Sequence, residues 1–368
     1  MRVGIPTEIK NSESRVAITA AGVHELARRG HEVLVQAGAG AGAGIEDADF
    51  RAAGATLVEG AEDVWGDAEL LLKVKEPVEA EYPLLRAGQV LFTYLHLAAS
   101  RACTEAILSS GTTAIAYETV QLADRSLPLL APMSEVAGRL SVVVGAQQLT
   151  GPAGGTGTLM GGVPGTPKAK VVVIGGGVAG EHAAVNALGL GAEVTVVDIS
   201  LPRLRALEAA HPGLRTALST AYTIAALVAE ADLVIGSVLV PGAAAPKLVT
   251  DTMVAGMRRG SVLVDIAIDQ GGCFEGSRPT THQEPTFRVH DSTYYCVANM
   301  PGAVARTSTV ALTNATLPYV LRLADAGWRA ALAADPALAA GLQAHAGRVH
   351  HAGVAEALGL PVWAGLPD

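Results

Sequence analysis

Residues 170–198, KVVVIGGGVAGEHAAVNALGLGAEVTVVD, constrain the fold more than any other stretch of the chain. They read as a buried strand over 171–174, a glycine turn, a helix of small residues, a second strand over 193–197 and a terminal carboxylate. In a chain with 42 glycines the G-x-G-x-x-G pattern alone says little, and its register with strand, helix and acid carries the argument. Gly175 permits a tight turn, Gly177 lets the backbone approach a pyrophosphate, and Gly180 lets the helix pack closely on the strand. The helix N-terminus then offers unpaired N–H groups to phosphate oxygens. Asp198 follows Gly180 by 18 residues, close to the spacing of about 20 at which a carboxylate meets the ribose of a dinucleotide. Such a carboxylate accepts a hydrogen bond from a 2′-hydroxyl and repels a 2′-phosphate, so the expected cofactor is NAD and not NADP.

The rest of the chain is long and apolar enough to surround that unit. Its 368 residues suggest two or three domains, and 50% hydrophobic against 17% charged residues supports buried cores over disorder. A formal net charge of −9 disfavours partners such as nucleic acid or an anionic membrane. The opening MRVGIPTEIKNSESR turns polar at once, without the apolar core of a secretory leader. Glu230 and Asp232 interrupt the longest apolar candidate for a membrane span. Cys103, Cys273 and Cys296 are far apart, odd in number and without metal-ligand spacing. They read as reduced core thiols of a cytoplasmic protein.

Up to about residue 128, apolar runs at 3–5, 32–36, 69–74, 90–95 and 112–117 alternate with helix-like segments such as 20–29 and 101–109. That alternation predicts βαβ units and a mostly parallel sheet. QAGAGAGAGI, 36–45, reads as a flexible loop at a sheet edge. A helix over 134–148, opened by Ser134 as a polar cap and carrying a Glu135–Arg139 pair, is the expected crossover into the glycine-turn domain. Further strands are expected at 231–237, 261–268 and 293–299, and the chain turns helical from Thr307. Nothing after Asp325 reads as another βαβ unit, so a helical tail is expected to return to the first domain. The expected architecture is α/β, with two Rossmann-like, doubly wound parallel-sheet domains separated by a cleft. Residues 1–128 with 307–368 form one domain and 129–306 the other.

Ligands of such sheets bind beyond the carboxyl ends of the strands. Polar residues fall at those ends in both halves: Lys73, Lys75, His96 and Glu118, then Asp198, Ser237, Asp269 and Asn299. His96 is the one histidine so placed, with Tyr94 two residues earlier on the same face, and an imidazole there suits general acid–base work. Arg15, in a polar loop after the first strand, could join Lys75 in clamping a substrate carboxylate. Asp269 is the expected third chemical residue, whereas Asp265, inside the strand, reads as structural. The remaining histidines lack ligand-like spacing with cysteines or carboxylates, and no metal site is expected.

Taken together these residues resemble the NAD-dependent L-alanine dehydrogenases. The matching stretches are GIPTEIKNSESRVA (4–17), KVKEP (73–77), LFTYLHLA (91–98), AYETVQ (116–121), PMSEVAGR (132–139), GGVPG (161–165) and VIGGGVAG (173–180). They continue through GSVLVPGAAAPKLV (236–249), VLVDIAIDQGGCFE (262–275) and the segment NMPGAV to LTNATLPYVL (299–321). Only the stretch from about 330 onward carries no matching motif. The resemblance implies reversible conversion of L-alanine, NAD⁺ and water to pyruvate, ammonium and NADH. It implies Arg15 and Lys75 on the substrate, His96 as acid–base residue and Asp269 orienting water or nitrogen. It also implies NAD contacts from Ser134, Gly175, Gly177, Val178, Ala179, Gly180, Asp198, Arg203, Thr220, Val238, Leu239, Ile266, Ala267, Ile268, Asp269, Asn299 and Met300. A homohexamer whose two domains close over the ligands is implied as well.

Three positions depart from the family pattern. Thr156 stands where a basic residue is usual, and Thr220 replaces a serine near the adenine end of the cofactor. Glu181 directly follows the glycine turn, where a carboxylate is unwelcome beside a pyrophosphate unless it points away. Two other readings share the fold: the NAD-binding subunit of a proton-translocating transhydrogenase, and a saccharopine- or opine-forming dehydrogenase. The first would not be expected to keep His96. The second would need room for a larger second substrate.

Overall fold

The computed structural model describes residues 1–238 and 245–367. The chain forms two compact units, Met1–Met133 with Val304–Asp368, and Ser134–Ala303. Among the described residues no helix is long and apolar enough to cross a membrane.

The first unit opens with strands β1 (Arg2–Ile5), β2 (Glu32–Gln36), β3 (Thr56–Val58), β4 (Leu70–Leu72), β5 (Val90–Thr93) and β6 (Thr113–Ala116). The second contains β7 (Lys170–Ile174), β8 (Glu193–Asp198), β9 (Arg215–Leu218), β10 (Leu233–Gly236), β11 (Val262–Asp265), β12 (Thr286–Val289) and β13 (Ser292–Tyr295). The first unit also contains β14 (Leu342–His345) and β15 (Arg348–Val349), followed by a helix at Ala352–Leu358. The strand orders are β15-β14-β6-β5-β4-β1-β2-β3 and β12-β13-β11-β10-β7-β8-β9. Both sheets are predominantly parallel, so each unit is the expected α/β type. The antiparallel exceptions lie at the edges, where β12 pairs with β13, β14 with β6, and β15 with β14.

Central strands of a parallel sheet are covered on both faces and read as continuous apolar runs. LLL of β4, LVIG of β10 and VLVD of β11 are buried at every position. Crossover helices supply the cover: Val64 and Trp65 in the first unit, and Ala183, Ala184 and Ala187 in the second, all lie within the cores. Each large apolar side chain so enclosed contributes roughly 1.5–3 kcal/mol of burial free energy.

Several expectations need correction. The crossover helix spans Ala131–Gln148, so Ser134 lies inside its first turns and does not cap it. Glu135 sits 4.0 Å from His182 Nε2, and no Glu135–Arg139 ion pair occurs among the described residues. The strand expected over 261–268 ends at Asp265, and Ile266–Gln270 forms a 3₁₀ turn. The glycine-alanine stretch is packed and not a loose loop: it holds a 3₁₀ turn at Ala41–Ala43, and a Cβ on Gly42 would fall 2.7 Å from the Ser14 carbonyl oxygen. The C-terminal segment is not purely helical. Its β14–β15 hairpin extends the first sheet through a two-residue turn, Ala346-Gly347, with positive φ at both residues, the pattern of a type I′ turn.

Candidate active site

In the first unit the carboxyl ends of β4 and β5 are bound to each other past the last strand residue. Tyr94 N–H donates to the Val74 carbonyl at 3.3 Å, and the Thr93 hydroxyl donates to the Lys75 carbonyl at 3.0 Å. The segment bearing Lys75 is therefore fixed to the segment that leads into His96. Lys75 is buried, and its charge helps hold the Glu76 carboxyl below its ordinary range against the opposing effect of burial.

His96 leaves the strand in the left-handed region, at φ 48° and ψ 36°, a conformation uncommon for a residue with a Cβ. Glu118 stabilises it. Its Oε1 accepts from the His96 N–H at 2.7 Å, and both of its oxygens accept from the Leu95 N–H at 3.2 Å. The imidazole lies parallel to the Tyr94 ring, 9° between planes and 6.1 Å between centroids, with Nδ1 3.9 Å from Glu118. Tyr94 is anchored through its hydroxyl, which donates to the Leu129 carbonyl at 2.5 Å, while the His96 side chain remains 39% exposed. An accessible imidazole on a rigid mount can transfer protons to and from a ligand.

Arg15 is not the solvated loop residue its sequence neighbours suggest when it is read alone. It is 2% exposed, and Glu13 grips it through Nε at 2.7 Å and a terminal nitrogen at 2.5 Å. Its other terminal nitrogen points at Met133 Sδ, 3.0 Å away. Burial disfavours the cation, but the Glu13 bonds and charge outweigh it and raise the guanidinium pKa. Arg15 also acts electrostatically on Tyr94, placing it in the same neighbourhood as the ring stacked on His96.

Lys73 is a separate matter. It is buried between Glu8 at 3.0 Å and Glu81 at 2.8 Å, and Glu8 also accepts from the Val74 N–H at 2.5 Å. Its work is to hold the start of the Lys73–Lys75 segment, so its strand-end position marks a scaffold residue.

In the second unit the glycine turn fits a dinucleotide. Gly175 has φ 99°, and a Cβ on Gly180 would lie 1.8 Å from the Gly175 carbonyl oxygen. A Cβ on Gly177 would meet nothing within 4 Å, which leaves that side of the turn open to an incoming pyrophosphate. The helix Val178–Gly189 starts there without a side-chain cap, so its first N–H groups are available to anionic oxygens. Ser237 braces the turn by donating to the carbonyls of Ile174 and Gly175 at 3.0 and 2.9 Å.

Asp198 accepts from the Gly176 N–H at 2.7 Å and the Ser200 N–H at 2.8 Å, which fixes its carboxylate at the rim of the turn. The Arg203 Nε donates to the carbonyl of the same Gly176 at 2.5 Å. Both carboxylate oxygens of Glu181 are engaged by side chains. One pairs with a terminal nitrogen of Arg203, and the other, Oε1, lies 2.7 Å from His211 Nε2. Burial pushes the Glu181 carboxyl up, but these two partners prevail and hold it below its ordinary range.

The other expected cofactor contacts are of several kinds. Val178 is exposed, and Ser134, Ala179, Val238, Ile266, Ala267 and Asn299 are half-buried. Thr220 is exposed but engaged, capping the helix Ala221–Glu230 by accepting from the Thr223 N–H at 3.0 Å. The Ile268 and Met300 side chains belong to the cores, so only their backbones can face a ligand. Leu239 lies outside the described residues. Asp269 is exposed on the 3₁₀ turn Ile266–Gln270. Asp265 fixes the same turn: it is buried and accepts from the N–H groups of Ala267 and Cys273 and from the Ser277 hydroxyl. That confirms it as a structural carboxylate. Glu13 and Met133 carry no functional signal in the sequence beyond the i, i+2 spacing of Glu13 and Arg15, and His211 is among the histidines without ligand-like spacing.

Known proteins are similar to this chain over nearly its whole length. The family described as "Alanine dehydrogenase/PNT, N-terminal domain" matches residues 4–137, and "Alanine dehydrogenase/PNT, C-terminal domain" matches 141–352. An alanine dehydrogenase of Mycobacterium tuberculosis is 66% identical over 362 residues, 98% of either chain. One from Halomonas elongata is 60% identical over 361 residues, covering 98% of this chain and 97% of its own. Among solved structures, an L-alanine dehydrogenase superposes with a TM-score of 0.94 at 51% identity, covering 98% of this chain and 99% of its own. A transhydrogenase from Sinorhizobium meliloti superposes with a TM-score of 0.83 at 27% identity, covering 95% and 100%. This chain belongs to the alanine dehydrogenase/PNT family.

Proposed function

We propose that His96 and Asp269 handle protons, and that Arg15 and Lys75 hold the substrate carboxylate, in an NAD-dependent amino-acid dehydrogenase. The reaction is the reversible oxidative deamination of L-alanine to pyruvate and ammonium. Bound NAD⁺ supplies the hydride acceptor. The chain's residues supply position and proton transfer. Two buried cations fix a carboxylate and with it the orientation of the α-carbon. Deamination releases protons from the amino group and from the water that replaces it, and each needs a base within hydrogen-bond reach. His96 is that base in the first unit, with Tyr94 beneath it and Glu118 behind it. Asp269, exposed on its turn, orients the water or the departing nitrogen.

One observation carries the assignment: an accessible imidazole stands in an uncommon backbone conformation, and a carboxylate accepts from its own N–H and that of the residue before it. Strain of that kind is retained where the surrounding structure enforces it, and it clusters at reactive sites. The turn around Gly175, Gly177 and Gly180 supports cofactor binding by the second unit, and Asp198 supports the choice of NAD over NADP. Residues 1–128 with 307–368 then serve as the substrate domain and 129–306 as the NAD domain. Family likeness supports a homohexamer. The three buried free cysteines suit a reducing cytoplasmic compartment.

The test follows NADH absorbance after purified protein is mixed with NAD⁺ and L-alanine, with D-alanine and NADP⁺ as controls. NADH should form only with the L-enantiomer and NAD⁺. Equal rates with both enantiomers would contradict the positional clamp, and equal rates with both cofactors would contradict the role of Asp198. Light scattering after size exclusion tests the hexamer.

A further inference from the structure

Asp198 is not the only carboxylate linked to the glycine turn: Glu181 is joined to it through Arg203. Gly176 binds an acid and a base at once: its N–H donates to Asp198 at 2.7 Å, and its carbonyl accepts Arg203 Nε at 2.5 Å. A guanidinium and the carboxylate that selects against a 2′-phosphate are therefore tied to the same residue of the turn. In this fold, an arginine near that position is the usual means of accepting a 2′-phosphate. Here the guanidinium is already committed. Glu181, from the first turn of the helix Val178–Gly189, takes one terminal nitrogen of Arg203 and holds His211 at 2.7 Å with its other oxygen.

We propose that Glu181 is a specificity-determining residue for the cofactor, a second guard that keeps Arg203 and His211 from a 2′-phosphate. This rests on the reading of the glycine turn as the NAD site and adds a residue to it. A 2′-phosphate entering beside Asp198 meets two obstacles. Asp198 repels it directly. Glu181 repels it and also occupies the fork through which Arg203 would make a bidentate, charge-assisted contact. Removing Asp198 alone leaves the second obstacle standing. Removing both frees a guanidinium anchored by Nε on the turn, with an imidazole close by. The two substitutions are thus coupled through Arg203, and their effects should exceed the product of the single ones.

The experiment measures equilibrium binding of NAD⁺, NADP⁺ and 2′,5′-ADP by calorimetry to the full chain and to four variants: D198A, E181Q, the double variant D198A/E181Q, and that double variant with R203M added. Melting curves are recorded for each. E181A is carried in parallel, so that misfolding of one replacement does not remove the comparison. The double variant should bind NADP⁺ and 2′,5′-ADP about tenfold more tightly than D198A does, a gain that shrinks as salt rises. R203M should erase the gain. Double variants no better than D198A, or a gain that survives R203M, would overturn the role of Glu181. Failure of the wild-type chain to bind NAD⁺ would instead overturn the reading of the turn on which the role rests.

Discussion

Glu118 Oε1 accepts a hydrogen bond from the backbone N–H of His96 at 2.7 Å, and His96 is one of few non-glycine residues with positive φ. The carboxylate acts on the histidine through its main chain, so the imidazole is aimed without being tied down. Glu118→Ala should leave the N–H groups of Leu95 and His96 without an acceptor and cost about 1–3 kcal/mol in stability. The freed backbone should let the ring wander, lowering kcat by about tenfold or more while NAD⁺ affinity changes little. Glu118→Gln keeps an oxygen acceptor and should fall between the two. Steady-state kinetics with melting curves measure both effects, and wild-type kcat in Glu118→Ala would remove the positioning role.

Two glycines of one turn should behave in opposite ways. A Cβ on Gly180 collides with the Gly175 carbonyl oxygen, so Gly180→Ala should destabilise the second unit by about 3 kcal/mol or more. At Gly177 the backbone is at φ −67° and a Cβ has open space, so Gly177→Ala should fold normally. Its methyl group would occupy the approach of the pyrophosphate, and NAD⁺ affinity should drop about tenfold or more. Denaturation curves and calorimetric titration separate the two outcomes.

Much of this was legible in the residues. The glycine turn, its flanking strands and Asp198 are local, and each runs through contiguous residues whose spacing carries the geometry. Arg15 is less legible, because one of its partners, Met133, is far away in sequence. Lys73 and Lys75 look alike in KVKEP, yet the first is enclosed by Glu8 and Glu81, acids that only the folded chain brings together. The β14–β15 hairpin has a weak sequence signal because Ala346 occupies a left-handed position where Asn, Asp or Gly is usual. β3 and β9 are short strands with no fully buried side chain, and they lack the continuous apolar run that marks a central strand.

The thiols should be inert in the folded protein. Burial pushes Cys103, Cys273 and Cys296 up to about 12 each, so almost no thiolate is present near pH 8. A chromogenic disulfide reagent should find no reactive thiol in the native protein and three after denaturation. Rapid native labelling of any of them would contradict the packing described.

Acid stability should depend on Glu76. Burial raises its carboxyl, but Lys75 and Lys10 outweigh burial and hold it below its ordinary value of 4.5. A carboxyl depressed in the folded state contributes stability above its unfolded pKa and loses it as pH falls through the folded one. Resistance of the wild type to denaturant should fall as pH drops below about 4.5, and that of Glu76→Gln should fall less over the same interval. An identical loss in both would assign the acid limb to other groups.

The role of His96 is tested most directly by pairing calorimetric NAD⁺ binding with rapid-mixing measurement of NADH formation from L-alanine, in the wild type and in His96→Ala. The proton-transfer role predicts NAD⁺ affinity within about threefold of wild type and NADH formation slowed by about a thousandfold. NADH formation at the wild-type rate in the variant would contradict it.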